Sequence, residues 1–123
     1  MMRPLILALA LACLATRAIA QQPDDTAYTR QIRALTSEPR FNTDLTNHLP
    51  SDARVPTPFA VLGYVPGTVG RLSRVADINR YFRALAAASD RIRVFSIGNS
   101  DEGREMIMAA IADPVTLASL NTF

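Results

Sequence analysis

The sequence predicts a mixed α/β fold, and three observations carry that prediction. Residues 73–88 place apolar side chains at helical spacing. Two stretches, Ile92–Gly98 and Met106–Ala112, are rich in the branched and aromatic residues that favour strands. Only the short polar segment Asn99–Gly103 separates those stretches, which makes an antiparallel hairpin the simplest pairing.

The elements follow in order along the chain. Residues 1–20 read as a secretory signal: Arg3 supplies the charge, Leu5–Leu14 is an unbroken apolar run, and Ala18-Ile19-Ala20 supplies small residues before a cleavage expected after Ala20. A membrane anchor needs about 20 apolar residues, and Thr16 and Arg17 interrupt well before that. The mature protein is thus expected to be secreted or periplasmic, with no membrane attachment after cleavage. Residues 21–57 form an N-terminal helix and a proline-rich extension. The helix is predicted from about Asp25 to Ser37, with Ala27, Tyr28, Ile32 and Leu35 near helical spacing and Pro39 ending it. Asp24 and Asp25 stand where a helix N-terminus favours negative charge. Pro39, Pro50, Pro56, Pro58 and Pro66 then prevent any long regular element.

Residues 58–123 read as the beginning of a larger domain. Tyr64-Val65-Pro66-Gly67 is a turn signal. Ser73 is expected to cap a helix running to about Ala88, whose Val75, Ile78, Phe82 and Leu85 make one apolar face. Asp77 and Arg80, three apart, can pair on its solvent side. Met106–Ala112 is apolar at every position and is therefore expected to be covered on both faces. Asp113-Pro114 fits an N-cap and first turn for a final helix over Val115–Leu120. One amphipathic helix and an arm supply too little material for two covering layers. The expectation is of an α/β domain interrupted at Phe123.

Composition removes much catalytic chemistry. The chain carries 13 basic and 11 acidic residues, and removing Arg3 and Arg17 with the signal leaves 11 against 11. No contiguous basic block remains, so nucleic acid is not expected as a partner. All the basic residues are arginine, which excludes a Schiff-base or phosphate-loop lysine. Cys13 lies in the signal, so the mature chain has no thiol and no disulfide.

Local motifs add little chemistry. Gly98-Asn99-Ser100-Asp101-Glu102-Gly103-Arg104 has the glycine spacing of a phosphate loop, but arginine replaces its lysine, Glu105 occupies the magnesium-binding position, and a strand follows where a helix must start. Ser100 is not a nucleophile elbow, because Glu102 stands at the second glycine position. His48 is the sole histidine, and with no cysteine beside it cannot complete a zinc ligand set. Asp24 with Asp25 and Glu102 with Glu105 are carboxylate pairs, but neither has a neighbour that would separate the two pKa values for acid–base work.

The stretch Phe59–Ala112 resembles the opening of the zinc metallocarboxypeptidases, the carboxypeptidase A/B-like peptidases. The carrying residues are Tyr81–Ser89 (YFRALAAAS), Arg91–Ser100 (RIRVFSIGNS), Asp101–Glu105 (DEGRE) and the strand MIMAAIA. Strand, then S-x-E-G-R-x-hydrophobic, then strand recurs at the start of that catalytic domain; here it reads Ser100-Asp101-Glu102-Gly103-Arg104-Glu105-Met106. Glu38-Pro39, Leu49-Pro50 and Leu62–Gly67 are similar to an N-terminal extension of bacterial members. The resemblance spans nearly all of the mature chain.

That resemblance implies zinc-dependent hydrolysis of peptide substrates near their C-termini by a full-length protein. There a metal-polarised water, assisted by a glutamate, attacks the peptide bond. It also implies that the machinery lies elsewhere. The family's first zinc ligands come from an H-x-x-E element after the next strand, and its third ligand, substrate-binding arginine and general-base glutamate lie further on. His48-Leu49-Pro50-Ser51 does not match H-x-x-E. No catalytic, cofactor-binding or metal residue is therefore assigned, and this chain alone is expected to bind no zinc and to be inactive. Glu102-Gly103-Arg104 is assigned to a structural turn, where Gly103 permits an unusual dihedral and Arg104 braces carbonyls or a carboxylate. Two other readings stand beside this one. One is a non-enzymatic exported binding or structural module; the other is an amide-cleaving relative acting on cell-wall peptide.

Overall fold

A computed structural model describes residues 22–122, so the predicted signal segment 1–20 lies outside the described residues. The chain order is α1 (Thr26–Leu35), a 3-10 turn (Pro39–Phe41), α2 (Pro58–Leu62), α3 (Val75–Ala88), β1 (Ile92–Asn99), β2 (Glu105–Ile111), α4 (Pro114–Ala118) and a second 3-10 turn (Leu120–Thr122). This is a mixed α/β arrangement of short helices around a two-stranded antiparallel sheet.

Asp25 caps α1 by accepting from the Tyr28 amide at 2.8 Å. The helix stops earlier than the proline pattern suggested. Thr36 leaves helical geometry, and its hydroxyl bonds back to the Ile32 carbonyl at 2.8 Å, ending the helix before Pro39. Pro39 instead opens the 3-10 turn. The arm then returns to where it began: Asp25 N–H donates to the Leu49 carbonyl at 2.8 Å and Ser51 N–H to the Pro23 carbonyl at 2.7 Å. Asp24 is therefore part of a bridge to Pro50 rather than of the helix end.

Helix α2 was not anticipated within the proline-dense stretch. Its residues still account for it: Thr57 caps the Ala60 amide at 3.2 Å, Pro58 suits the first turn, and Gly63 ends it in left-handed geometry. The turn expected at Pro66-Gly67 forms, with Thr68 N–H donating to the Val65 carbonyl at 3.0 Å and Gly67 at a φ of 95°.

Helix α3 corrects two expectations. Ser73 does not cap it; the preceding residue of the helix is Arg74, and the Asp77 carboxylate receives the Arg74 amide at 3.5 Å. Ser73 sits instead 3.2 Å from the Tyr64 hydroxyl. The Asp77–Arg80 pair forms at 2.9 Å. The apolar face Val75–Ile78–Phe82–Leu85 was expected to be core, yet Val75 and Ile78 are exposed and the most buried residue of the helix is Asn79. Geometry explains this: α3 packs on a sheet only two strands wide, and a cavity of about 430 Å³ opens between Ile78 and Phe82 on the helix and Ile107 and Ala109 on β2.

The hairpin forms as predicted, with Ile92 opposite Ile111, Val94 opposite Ala109 and Phe95 opposite Met108. The register is interrupted between Ser96 and Asn99, where two residues of β1 oppose one of β2. Coverage of β2 on both faces is not observed. Glu105, Ile107 and Ala109 line the space beneath α3, whereas Met106, Met108 and Ile111 of β2 are 41%, 51% and 70% exposed. Asp113 caps α4 as expected, accepting from the Val115 and Thr116 amides at 3.0 Å each. The helix is shorter than expected, with the 3-10 turn taking its last part. Leu117 of α4 is the most deeply buried side chain, at 1% exposure. No helix among the described residues is long and apolar enough to cross a membrane.

Candidate functional site

The residues that bore the motif argument meet at the closed end of the hairpin, where it touches α3. The turn is held by its own backbone: Gly103 N–H donates to the Ser100 carbonyl at 2.8 Å, and Ser100 N–H to the Arg104 carbonyl at 2.8 Å. The Ser100 hydroxyl accepts from the Arg104 amide at 3.2 Å, so it serves the turn. Gly103 has a φ of 72°, a region that a residue with a Cβ enters only at a cost of about 1 kcal/mol or more. A strand follows directly, which is the arrangement that argued against a phosphate loop.

Neither carboxylate of the Glu102–Glu105 pair is placed for acid–base work. Glu102 contacts Arg104 at 2.6 Å in a solvent-exposed ion pair. Glu105 is tied to α3 twice: its carboxylate contacts Arg83 at 2.6 Å, and its backbone carbonyl accepts from the buried Asn79 side chain at 2.9 Å. The hydrogen bond from Arg83 holds the Glu105 carboxyl below the usual range, so it is a standing anion at neutral pH.

The remaining candidates are dispersed. His48 lies in the arm with its Nδ1 2.6 Å from the Asn47 side-chain oxygen. Asp25 is a helix cap, and Asp24 stands at the bridge. Among the described residues no group of three or more His, Cys, Asp or Glu side chains converges as metal ligands would. Among the described residues these side chains do not form the set that zinc requires.

Sequence reasoning missed a different grouping. Arg74, Arg80, Arg83 and Arg104 line one open cavity of about 890 Å³ between the start of α3 and the hairpin turn. No contiguous basic block marks it, because these residues are scattered along the chain. The three-residue spacing of Arg80 and Arg83 was the legible part, since it puts both on one side of a helix. Arg104 joins them only through the hairpin.

No protein-family model, curated protein or solved structure matches this chain. The class established is therefore the one its own geometry defines, a mixed α/β unit in which a helix rides on one face of a hairpin.

Proposed function

We propose that this chain is the N-terminal portion of an exported zinc metallocarboxypeptidase-like peptidase, whose full-length form hydrolyses peptide bonds near C-termini. One observation carries the reading. The order helix, strand, Ser100–Arg104 turn, strand is present as a folded unit, with the turn closed by Ser100 and Gly103 and braced by Arg104 on Glu102. The exposure of Met106 and Met108 on β2 supports it, because a strand apolar on both faces calls for two covering layers. The signal-like pattern of residues 1–20 supports export.

On this reading the present residues have scaffolding roles. Asn79 and Arg83 fix the hairpin to α3, and Gly103 and Arg104 shape the turn. The hydrolytic groups belong to further sequence carrying H-x-x-E.

The deciding experiment is the intact mass and peptidase activity of the native protein purified from its source. The expected species starts at Gln21 and is several-fold heavier than the 103 residues from there to Phe123. It releases C-terminal residues from peptides and loses that activity on chelation. A native species ending at Phe123, or a larger one without chelator-sensitive release, overturns the proposal.

A further inference from the structure

The space beneath α3 is a groove of about 430 Å³, and it stands apart from the peptidase reading, because it needs only α3 and the hairpin. Its size falls in the usual range for small-molecule sites, about 300–1,000 Å³. The walls are apolar: Val75, Ile78 and Phe82 come from the helix, and Met106, Ile107 and Ala109 from β2. Interior packing normally closes such a space. Here Val75 and Ile78 remain 45% and 44% exposed, so the groove is open.

Polar groups meet it only where the hairpin turn touches α3, through Asn79, Ser100, Arg104 and Glu105. Three of them are already engaged. Glu105 is paired with Arg83 at 2.6 Å and Arg104 with Glu102 at 2.6 Å, while Ser100 Oγ accepts from the Arg104 amide at 3.2 Å. No charge is left over to match an ionic ligand. Asn79 differs. It is 7% exposed, and its Nδ2 donates to the Glu105 carbonyl at 2.9 Å. A carbonyl can only accept, so that bond fixes which way the amide is turned.

The other end of that amide, Oδ1, accepts from no donor among the described residues, yet it is not sealed off as the Tyr28 hydroxyl is. Asn79 lies where the groove joins the wider arginine-lined space, within reach of an entering molecule. An acceptor held in place by its own amide, largely desolvated and bordered by apolar walls, gains most from an N–H or O–H brought to it.

We infer that this groove binds a small uncharged molecule with an apolar body and one hydroxyl or N–H group. The body lies between Phe82 and Ala109, where the aromatic ring of Phe82 offers a face to it, and the donor meets Asn79 Oδ1.

Titration of the isotope-labelled full chain, followed by NMR, uses para-butylphenol as the probe with a donor and para-butylanisole, its methyl ether, as the probe without one. The phenol is expected to bind about tenfold more tightly, the factor that one unmet buried acceptor costs. It is also expected to shift the Asn79 side-chain amide together with Ile107 and Ala109. Ala109→Leu fills the groove from the sheet side and abolishes binding. Ile78→Gln, at a half-exposed position, puts a polar group into the wall and weakens binding about fivefold. Ala87→Leu, exposed on α3 and outside the groove, leaves binding unchanged. The dispersion of the amide spectrum verifies that each variant keeps its fold, and if Ala109→Leu unfolds, Ile78→Gln decides. Absence of phenol binding overturns the inference, as does equal affinity for the ether, shifts confined to residues outside the groove, or binding that survives the groove variants.

Discussion

The arm over residues 22–57 and the body built from α3 and the hairpin hold together by different means. In the arm, proline density prevents ladders, and cohesion comes from isolated polar ties. Residues 23–25 meet 49–51 through two backbone bonds, the Gln22 side chain reaches the Ser51 carbonyl at 2.9 Å, and the Leu49 amide donates to the buried Thr29 hydroxyl at 3.2 Å. In the body, an antiparallel ladder, irregular only between Ser96 and Asn99, carries a 14-residue helix, and the polar ties are added at one end, through Asn79 and Arg83. The arm meets the body at Tyr81, whose hydroxyl donates to the Pro56 carbonyl at 3.2 Å. Buried polar groups differ in their partners: Thr29 in the arm and Asn79 in the body each have one. Asn79, 7% exposed, has its partner, whereas the buried Tyr28 hydroxyl finds none among the described residues. A lone tie in a loop stabilises by about one hydrogen bond, whereas a tie that seats a helix on a ladder keeps both in register.

That contrast can be broken at the body first. Asn79→Ala leaves the Glu105 carbonyl without its donor and opens space beneath α3, and is expected to cost about 2 kcal/mol in denaturant unfolding. A loss as small as that of an exposed substitution would mean that the α3–hairpin tie contributes nothing to cohesion.

The equivalent cut in the arm is Thr29→Val, which keeps the shape and removes the acceptor for the Leu49 amide. The expected cost is about 1 kcal/mol. Hydrogen exchange sharpens the comparison: residues 47–51 should lose protection while β1 and β2 keep theirs. Uniform loss across both regions would show that arm and body open as one unit.

The smallest effect is expected at Tyr28. Burial, and secondarily Tyr81 and Asp25 nearby, push its phenol up to about 12 from an ordinary value of 10.0. The folded state therefore keeps the proton that the unfolded chain releases, and stability falls as pH rises from 10 through about 12. Tyr28→Phe removes an unpartnered hydroxyl and should be neutral or stabilising by up to about 1 kcal/mol at neutral pH. It should also flatten the alkaline loss, measured by urea midpoints between pH 9 and pH 12. A wild-type slope retained in Tyr28→Phe would assign the alkaline loss to other groups.

Local chemistry was legible wherever a single residue decides the backbone. Asp113 as a cap, the Pro66-Gly67 turn, the Asp77–Arg80 pair and the hairpin turn joining β1 to β2 all follow from side chains acting on neighbours within a few positions. The errors arose where two local rules competed. Ser73 is a good capping residue, but the Tyr64 hydroxyl lies beside it and Asp77 serves the helix start instead. The Thr36 hydroxyl ended α1 before the proline could. Glu102 and Glu105 stand close in sequence, yet each is paired with an arginine, Arg104 and Arg83, and not with the other.

Periodicity and capping chemistry were therefore sufficient to place α1, α3, α4 and both strands and to mark their apolar faces, though not α2, because both act over one or two turns of chain. They were not sufficient to say which apolar faces become core. That outcome depends on how much surface a two-stranded sheet can offer a helix, and it leaves Val75, Ile78 and Met108 exposed while Asn79 is buried. The same reason governs charge. Arg74, Arg80, Arg83 and Arg104 are scattered and balanced by acids along the chain, and only the seating of α3 on the hairpin turn gathers them into one groove.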